Sequence, residues 1–142
     1  MFESRVIAVM SGMVGLSLWL AGVEPVAGGV TTRVAPGGDA IELEIPTEVG
    51  TQKETLPLYH SGKIHYFSAG IGQVEREAAY PPFPLKLVFT AGGKPFVTGV
   101  EVVLRRSKGA TVLTVPREQV TGPWLFIDVP DGAYEVAATL GG

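Results

Sequence analysis

Neither cysteine nor asparagine occurs among the 142 residues. The first absence excludes disulfides, thiolate metal sites, thiol catalysis and a lipid anchor through an N-terminal cysteine. The second removes every N-glycosylation acceptor and leaves tight hairpins to Asp-Gly or Gly-Gly turns. Concentrated positive charge is missing too. The formal net charge is −3, and only Arg105, Arg106 and Lys108 cluster among the basic residues. Nucleic-acid binding needs a basic stripe to displace counterions, so that partner class is excluded. None of the six serines sits in a GxSxG elbow, so no activated serine nucleophile is indicated. Gly70-Ile71-Gly72 lacks the third glycine of a dinucleotide fingerprint.

Long apolar runs are represented once. Val6 to Val23 contains eighteen residues without a charge, preceded by Arg5 and followed by Glu24-Pro25 and the small residues Ala27, Gly28 and Gly29. A basic start, an apolar stretch and a small-residue exit describe a secretory signal, with cleavage after Gly28. The rival reading is a retained hydrophobic helix. Eighteen residues rise about 27 Å, just short of a hydrocarbon core of about 30 Å. Residues 1–28 are therefore read as signal peptide or membrane anchor. Both readings put the remainder outside the cytoplasm, in the periplasm or beyond the cell, tethered to the inner membrane only if residues 6–23 stay attached.

Beyond residue 30 the hydrophobic period is close to two. Ile41, Leu43 and Ile45 alternate with Glu42 and Glu44, and Leu85, Leu87 and Phe89 alternate with Lys86, Val88 and Thr90. Phe96, Thr98, Val100, Val102 and Leu104 share one face of a further strand, while 110–115, 123–129 and 133–140 complete the set. Pro130-Asp131-Gly132 and Ser107-Lys108-Gly109 supply turns. Only 72–80 has helical character, and Pro81-Pro82 stops it. Short strands separated by turns predict an all-β, immunoglobulin-like or transthyretin-like sandwich with one short helix before it. The expected division is an irregular stretch over 29–58 with one strand at 40–46, then the sandwich over 59–142.

The C-terminal half carries a recognisable pattern: Gly93-Lys94-Pro95, Gly99-Val100-Glu101-Val102, then Trp124 to Pro130 followed by Asp131-Gly132-Ala133-Tyr134. It resembles the carboxypeptidase-regulatory-like, transthyretin-like family, whose fold is carbohydrate-binding-like. In that family a strand ends in a Pro-x-Gly turn and a Gly-x-Tyr strand follows. His65 to Glu77 resembles a segment of small exported proteobacterial proteins of this type, and the likeness covers residues 65–140. The family includes regulatory modules attached to carboxypeptidases. No peptidase domain is present here, so the resemblance implies a fold and no catalytic role. The turn places the Tyr134 ring in the core, with its hydroxyl reaching nearby backbone.

Candidate chemistry is sparse. His60 and His65, the only histidines, are flanked by Tyr59 and Tyr66. A spacing of five along one strand puts two imidazoles on opposite faces, and no third ligand suggests itself, so metal binding is not expected. Glu75, Arg76 and Glu77 form either a recognition patch or the solvated side of a helix. Trp124 and Phe126 share a strand face with Asp128 and read as core rather than as a sugar-stacking platform. Tyr59, His60, His65, Tyr66, Glu75, Arg76 and Glu77 are the candidate partner-binding residues, with no catalytic, cofactor or metal-binding residue. The expectation is a non-catalytic module that binds a protein or glycan of the cell envelope. The alternative is an assembly subunit, either a filament component or an accessory chain of a membrane complex. There the 40–46 strand would pair with the sheet edge of a neighbouring copy.

Overall fold

The computed structural model describes residues 17–20, 29–90 and 98–140. The leader or anchor assignment falls mostly on residues 1–16 and 21–28, outside the described residues, as do Gly93, Lys94, Pro95 and Phe96. Among the described residues no helix is long and apolar enough to cross a membrane.

The described residues are all-β, with eleven strands, one helix α1 (Gly72–Glu77) and a short 3₁₀ turn at Arg117–Gln119 among them. A central antiparallel sheet has the order β1 (Ser17–Leu20), β7 (Leu85–Val88), β10 (Trp124–Asp128), β6 (Ile64–Ala69), β5 (Tyr59–Ser61). A second sheet has β8 (Val100–Arg106) between β11 (Tyr134–Leu140) and β9 (Thr111–Val115). A third has β3 (Ala40–Thr47) between β2 (Thr31–Val34) and β4 (Gly50–Pro57).

Alternation along the central strands explains the layering. Ile64 and Tyr66 of β6, Leu85 and Leu87 of β7, and Leu125 and Ile127 of β10 point to one side. There they meet Val100, Val102, Leu104, Leu113, Val115, Tyr134, Val136 and Ala138 of the second sheet in one core. The period-two pattern thus yields antiparallel sheets that share one core, an arrangement consistent with a sandwich whose sheets bury their inner faces against each other. The intervening residues Phe67, Ala69 and Phe126 point the other way. They form a second core with Ile41 and Leu43 of β3, Leu58 and Phe83. The central sheet is therefore covered on both faces, and residues 29–58 supply the extra cover.

That stretch is more ordered than its composition suggests. Besides β3, it contains β2 and the eight-residue β4. β4 reads Gly-Thr-Gln-Lys-Glu-Thr-Leu-Pro and is exposed along Gly50 to Thr55. A strand wetted on both faces has no reason to alternate, so hydrophobic period does not reveal it. It forms because β3 offers a free edge across a short turn. In that turn the Thr47 hydroxyl donates to the Gly50 carbonyl at 2.8 Å. β2 closes the other edge of β3, with Arg33 paired to Glu42 at 3.0 Å directly across the ladder. Both edges of β3 are thus occupied by its own chain, so the 40–46 strand is not free to pair with another copy. α1 ends at Glu77, three residues short of Tyr80, because Ala78 is extended and Ala79 bridges Thr31.

Candidate functional site

Tyr59-His60-Ser61-Gly62-Lys63-Ile64-His65-Tyr66 is close to a palindrome, and the chain folds at its centre. Gly62 at φ 60° opens a two-residue connection, and β5 pairs antiparallel with β6. Positive φ at the first loop position of a two-residue hairpin suits glycine. The register sets Tyr59 opposite Tyr66 and His60 opposite His65. Opposed residues of an antiparallel pair share a face. The two imidazoles therefore lie side by side with ring centroids 4.4 Å apart. The opposite-face placement expected from the spacing of five fails because residues 60–65 are not one strand: a turn divides them.

β10 extends the row. Asp128 is the partner of His65 in the register, and its Oδ2 lies 3.9 Å from His65 Nδ1. On the far side, His60 Nε2 donates to the carbonyl of Gly38 in the β2–β3 turn. A carbonyl can only accept, so this contact puts a proton on His60 Nε2, and in the neutral ring Nδ1 then carries the lone pair. The order across the surface is Gly38, His60, His65, Asp128. The side chains of His65 and Asp128 are 38% and 48% exposed, which keeps the row in contact with solvent. It shares the sheet face of Phe67 and Phe126, at the end where that second core gives way to water.

Tyr59 and Tyr66 occupy the opposite face. Their rings stack at 5.4 Å, and the Tyr66 hydroxyl donates to Gln119 Oε1 at 2.6 Å. Burial raises the Tyr66 pKa, and the neighbouring Tyr59 adds to the shift. Tyr66 is a core residue, and Tyr59 packs against the same core.

Glu75, Arg76 and Glu77 lie at the other end of β6. Glu75 Oε1 accepts from the amides of Gly70 and Ile71 at 3.2 and 3.3 Å, and Arg76 Nε donates to the Gly70 carbonyl at 3.1 Å. Glu77 accepts from Gln73 at 2.8 Å. These side chains hold the β6–α1 corner in place, and the fold does not bring them to the histidines. Trp124 is half-buried. Lys86 Nζ stands 3.7 Å from its ring centroid, and Gly70 packs against the indole. Its ring is engaged within the chain rather than presented as a platform.

Sequence reasoning missed the histidine row, although the mirrored residues around Ser61-Gly62-Lys63 were a usable hairpin signal. Asp128 could not have been found that way, since a pairing across 63 residues of chain sets its position. Scans against protein-family models and searches of curated proteins and of solved structures find no match.

Proposed function

We propose that this is an exported, non-catalytic β-sandwich module of the carboxypeptidase-regulatory-like, transthyretin-like type that binds a protein partner in the periplasm or at the cell surface. The observation that supports this reading is β4. It is the longest edge of the outer sheet, pairs only with β3 among the described residues, and presents Thr51, Gln52, Lys53, Glu54 and Thr55 to solvent. An extended peptide adds to such an edge through main-chain hydrogen bonds, with side-chain contacts giving selectivity. Charged residues on an exposed edge discourage indiscriminate pairing with other copies, and Lys53 and Glu54 fill that role. A protein is favoured over a glycan because Trp124, the aromatic residue best suited to sugar stacking, is already engaged by Lys86 and Gly70. Export rests on the uncharged run from Val6 to Val23 and its small-residue exit.

The test is site-specific photocrosslinking of the full chain in its native cell envelope. A crosslinker at Gln52 is expected to capture one stoichiometric protein, whereas the same group at Thr139 of the opposite outer sheet is not. Equal capture at both positions, or none at Gln52, overturns the reading.

A further inference from the structure

We propose that His60 and His65 chelate a divalent transition-metal ion, with Asp128 and the Gly38 carbonyl orienting the two rings. The inference stands on the geometry of the β5–β6 hairpin and is independent of the β4 edge.

Three observations converge. The register forces the imidazoles onto one face of neighbouring strands with centroids 4.4 Å apart. Nitrogen–metal bonds of about 2.0–2.1 Å bring two ligating nitrogens to about 3 Å from each other, a separation that such a cross-strand pair can supply. Each ring has an oxygen acceptor on its outer side. The Gly38 carbonyl accepts from Nε2 of His60, and Asp128 Oδ2 stands 3.9 Å from Nδ1 of His65, just beyond hydrogen-bond distance. Metal-bound histidines characteristically give their second nitrogen to a carbonyl or carboxylate, which sets the tautomer and makes the ligand more basic. Here that assigns Nδ1 of His60 and Nε2 of His65 as the ligating atoms. The row is also open to solvent, giving an ion a path in.

No group of three or more histidine, cysteine or acidic side chains with metal-binding geometry occurs among the described residues. The site is therefore a two-imidazole chelate, its remaining positions left to water or to a side chain from a partner. Nitrogen ligands select zinc, nickel or copper over the hard cations magnesium and calcium, and copper binds most tightly of the divalent series. Ligation requires unprotonated imidazole, so acid releases the ion.

The experiment is titration of untagged full-length protein with Zn²⁺, followed through the ring signals of both histidines by nitrogen-correlated NMR. One equivalent of Zn²⁺ should shift both sets of ring signals together. Cu²⁺ should displace it, and Mg²⁺ in excess should leave the signals unmoved. His60→Gln and His65→Gln should each abolish the response of the remaining ring at that concentration. Asp128→Asn, which removes only the orienting carboxylate, should weaken binding about tenfold. The backbone fingerprint, recorded alongside, shows that each variant keeps its fold. Ring signals that do not move with Zn²⁺, or an affinity unchanged in His60→Gln, overturn the proposal.

Discussion

The hydroxyl of Tyr134 donates to the carbonyl of Pro130 at 2.6 Å, four residues back along the chain, while the Tyr134 ring is almost completely buried between the sheets. One side chain thus ties the Pro130-Asp131-Gly132 turn to the core of the sandwich. Its two functions separate by mutation. Tyr134→Phe keeps the ring and loses one hydrogen bond to an exposed residue whose carbonyl can turn to water, so it should cost about 1 kcal/mol. Tyr134→Ala also empties the core site and should cost about 3–5 kcal/mol. Urea unfolding of the two variants against the parent measures both, and similar losses would show that the ring contributes little.

Ser68 is the buried polar side chain of the β6–β10 ladder. Its oxygen accepts the Gly122 amide at 2.9 Å, and its single proton is shared between the carbonyls of Trp124 at 2.9 Å and Gly122 at 3.1 Å. Ser68→Ala leaves the buried Gly122 amide without that acceptor, at a cost of about 1–3 kcal/mol. Hydrogen exchange should accelerate at Gly122 more than at the flanking β10 amides. Uniform acceleration along β10 would instead indicate a general loosening of the sheet.

The division between what residues reveal locally and what distant pairing decides runs through the whole chain. Ile41, Leu43, Leu85, Leu87, Val100, Val102 and Leu104 alternate in the sequence and are buried in the structure, because a half-buried pleat imposes that period. The Tyr134 hydroxyl bond was legible for a similar reason, since turn and ring lie within five residues. β4 was not legible: its partner β3 organises it, and its own side chains stay wet. The second core was hidden as well. Phe126 reads as part of one strand face, Phe67 belongs to no strand read from the sequence, and nothing local says that Ile41 and Leu43 cover them. The histidine row combines both difficulties, requiring a turn to be recognised and a third strand to be placed.

Gly70 passes directly beneath the indole of Trp124. A Cβ there would lie 2.9 Å from Trp124 Cδ2 and 3.2 Å from Pro123 Cγ, and the residue sits at φ +102°. The Gly70 carbonyl also accepts from Arg76 and its amide donates to Glu75, so displacing it disturbs the corner that starts α1. Gly70→Ala should therefore destabilise the chain by about 1–3 kcal/mol through backbone strain, with the steric clash adding to it. Gly62→Ala, also at positive φ but with open space around its Cβ, should cost less. Thermal unfolding ranks the two. Trp124 emission should shift to longer wavelength in Gly70→Ala and stay put in Gly62→Ala.

Tyr80 donates its hydroxyl to the Glu75 carbonyl at 2.7 Å and packs against Phe67 and Phe126. Burial raises its pKa well above the ordinary 10.0, and the Glu75 carboxylate pushes it further in the same direction. The folded chain therefore holds this proton at a pH where the unfolded chain has released it. With more protons bound in the native than in the unfolded state, stability falls as pH rises. The contribution is fully present below pH 10.0, where both states are neutral, and is lost as pH climbs from there toward the folded value. Tyr80→Phe cannot ionise and lacks the hydrogen bond. It should be less stable than the parent at pH 8, by about 1 kcal/mol for the bond, with the gap narrowing above pH 10. Denaturation at pH 8, 9.5 and 11 measures the difference between parent and variant. A gap that stays constant or widens with pH would mean that the phenolate is tolerated in the fold and that burial does not control this side chain.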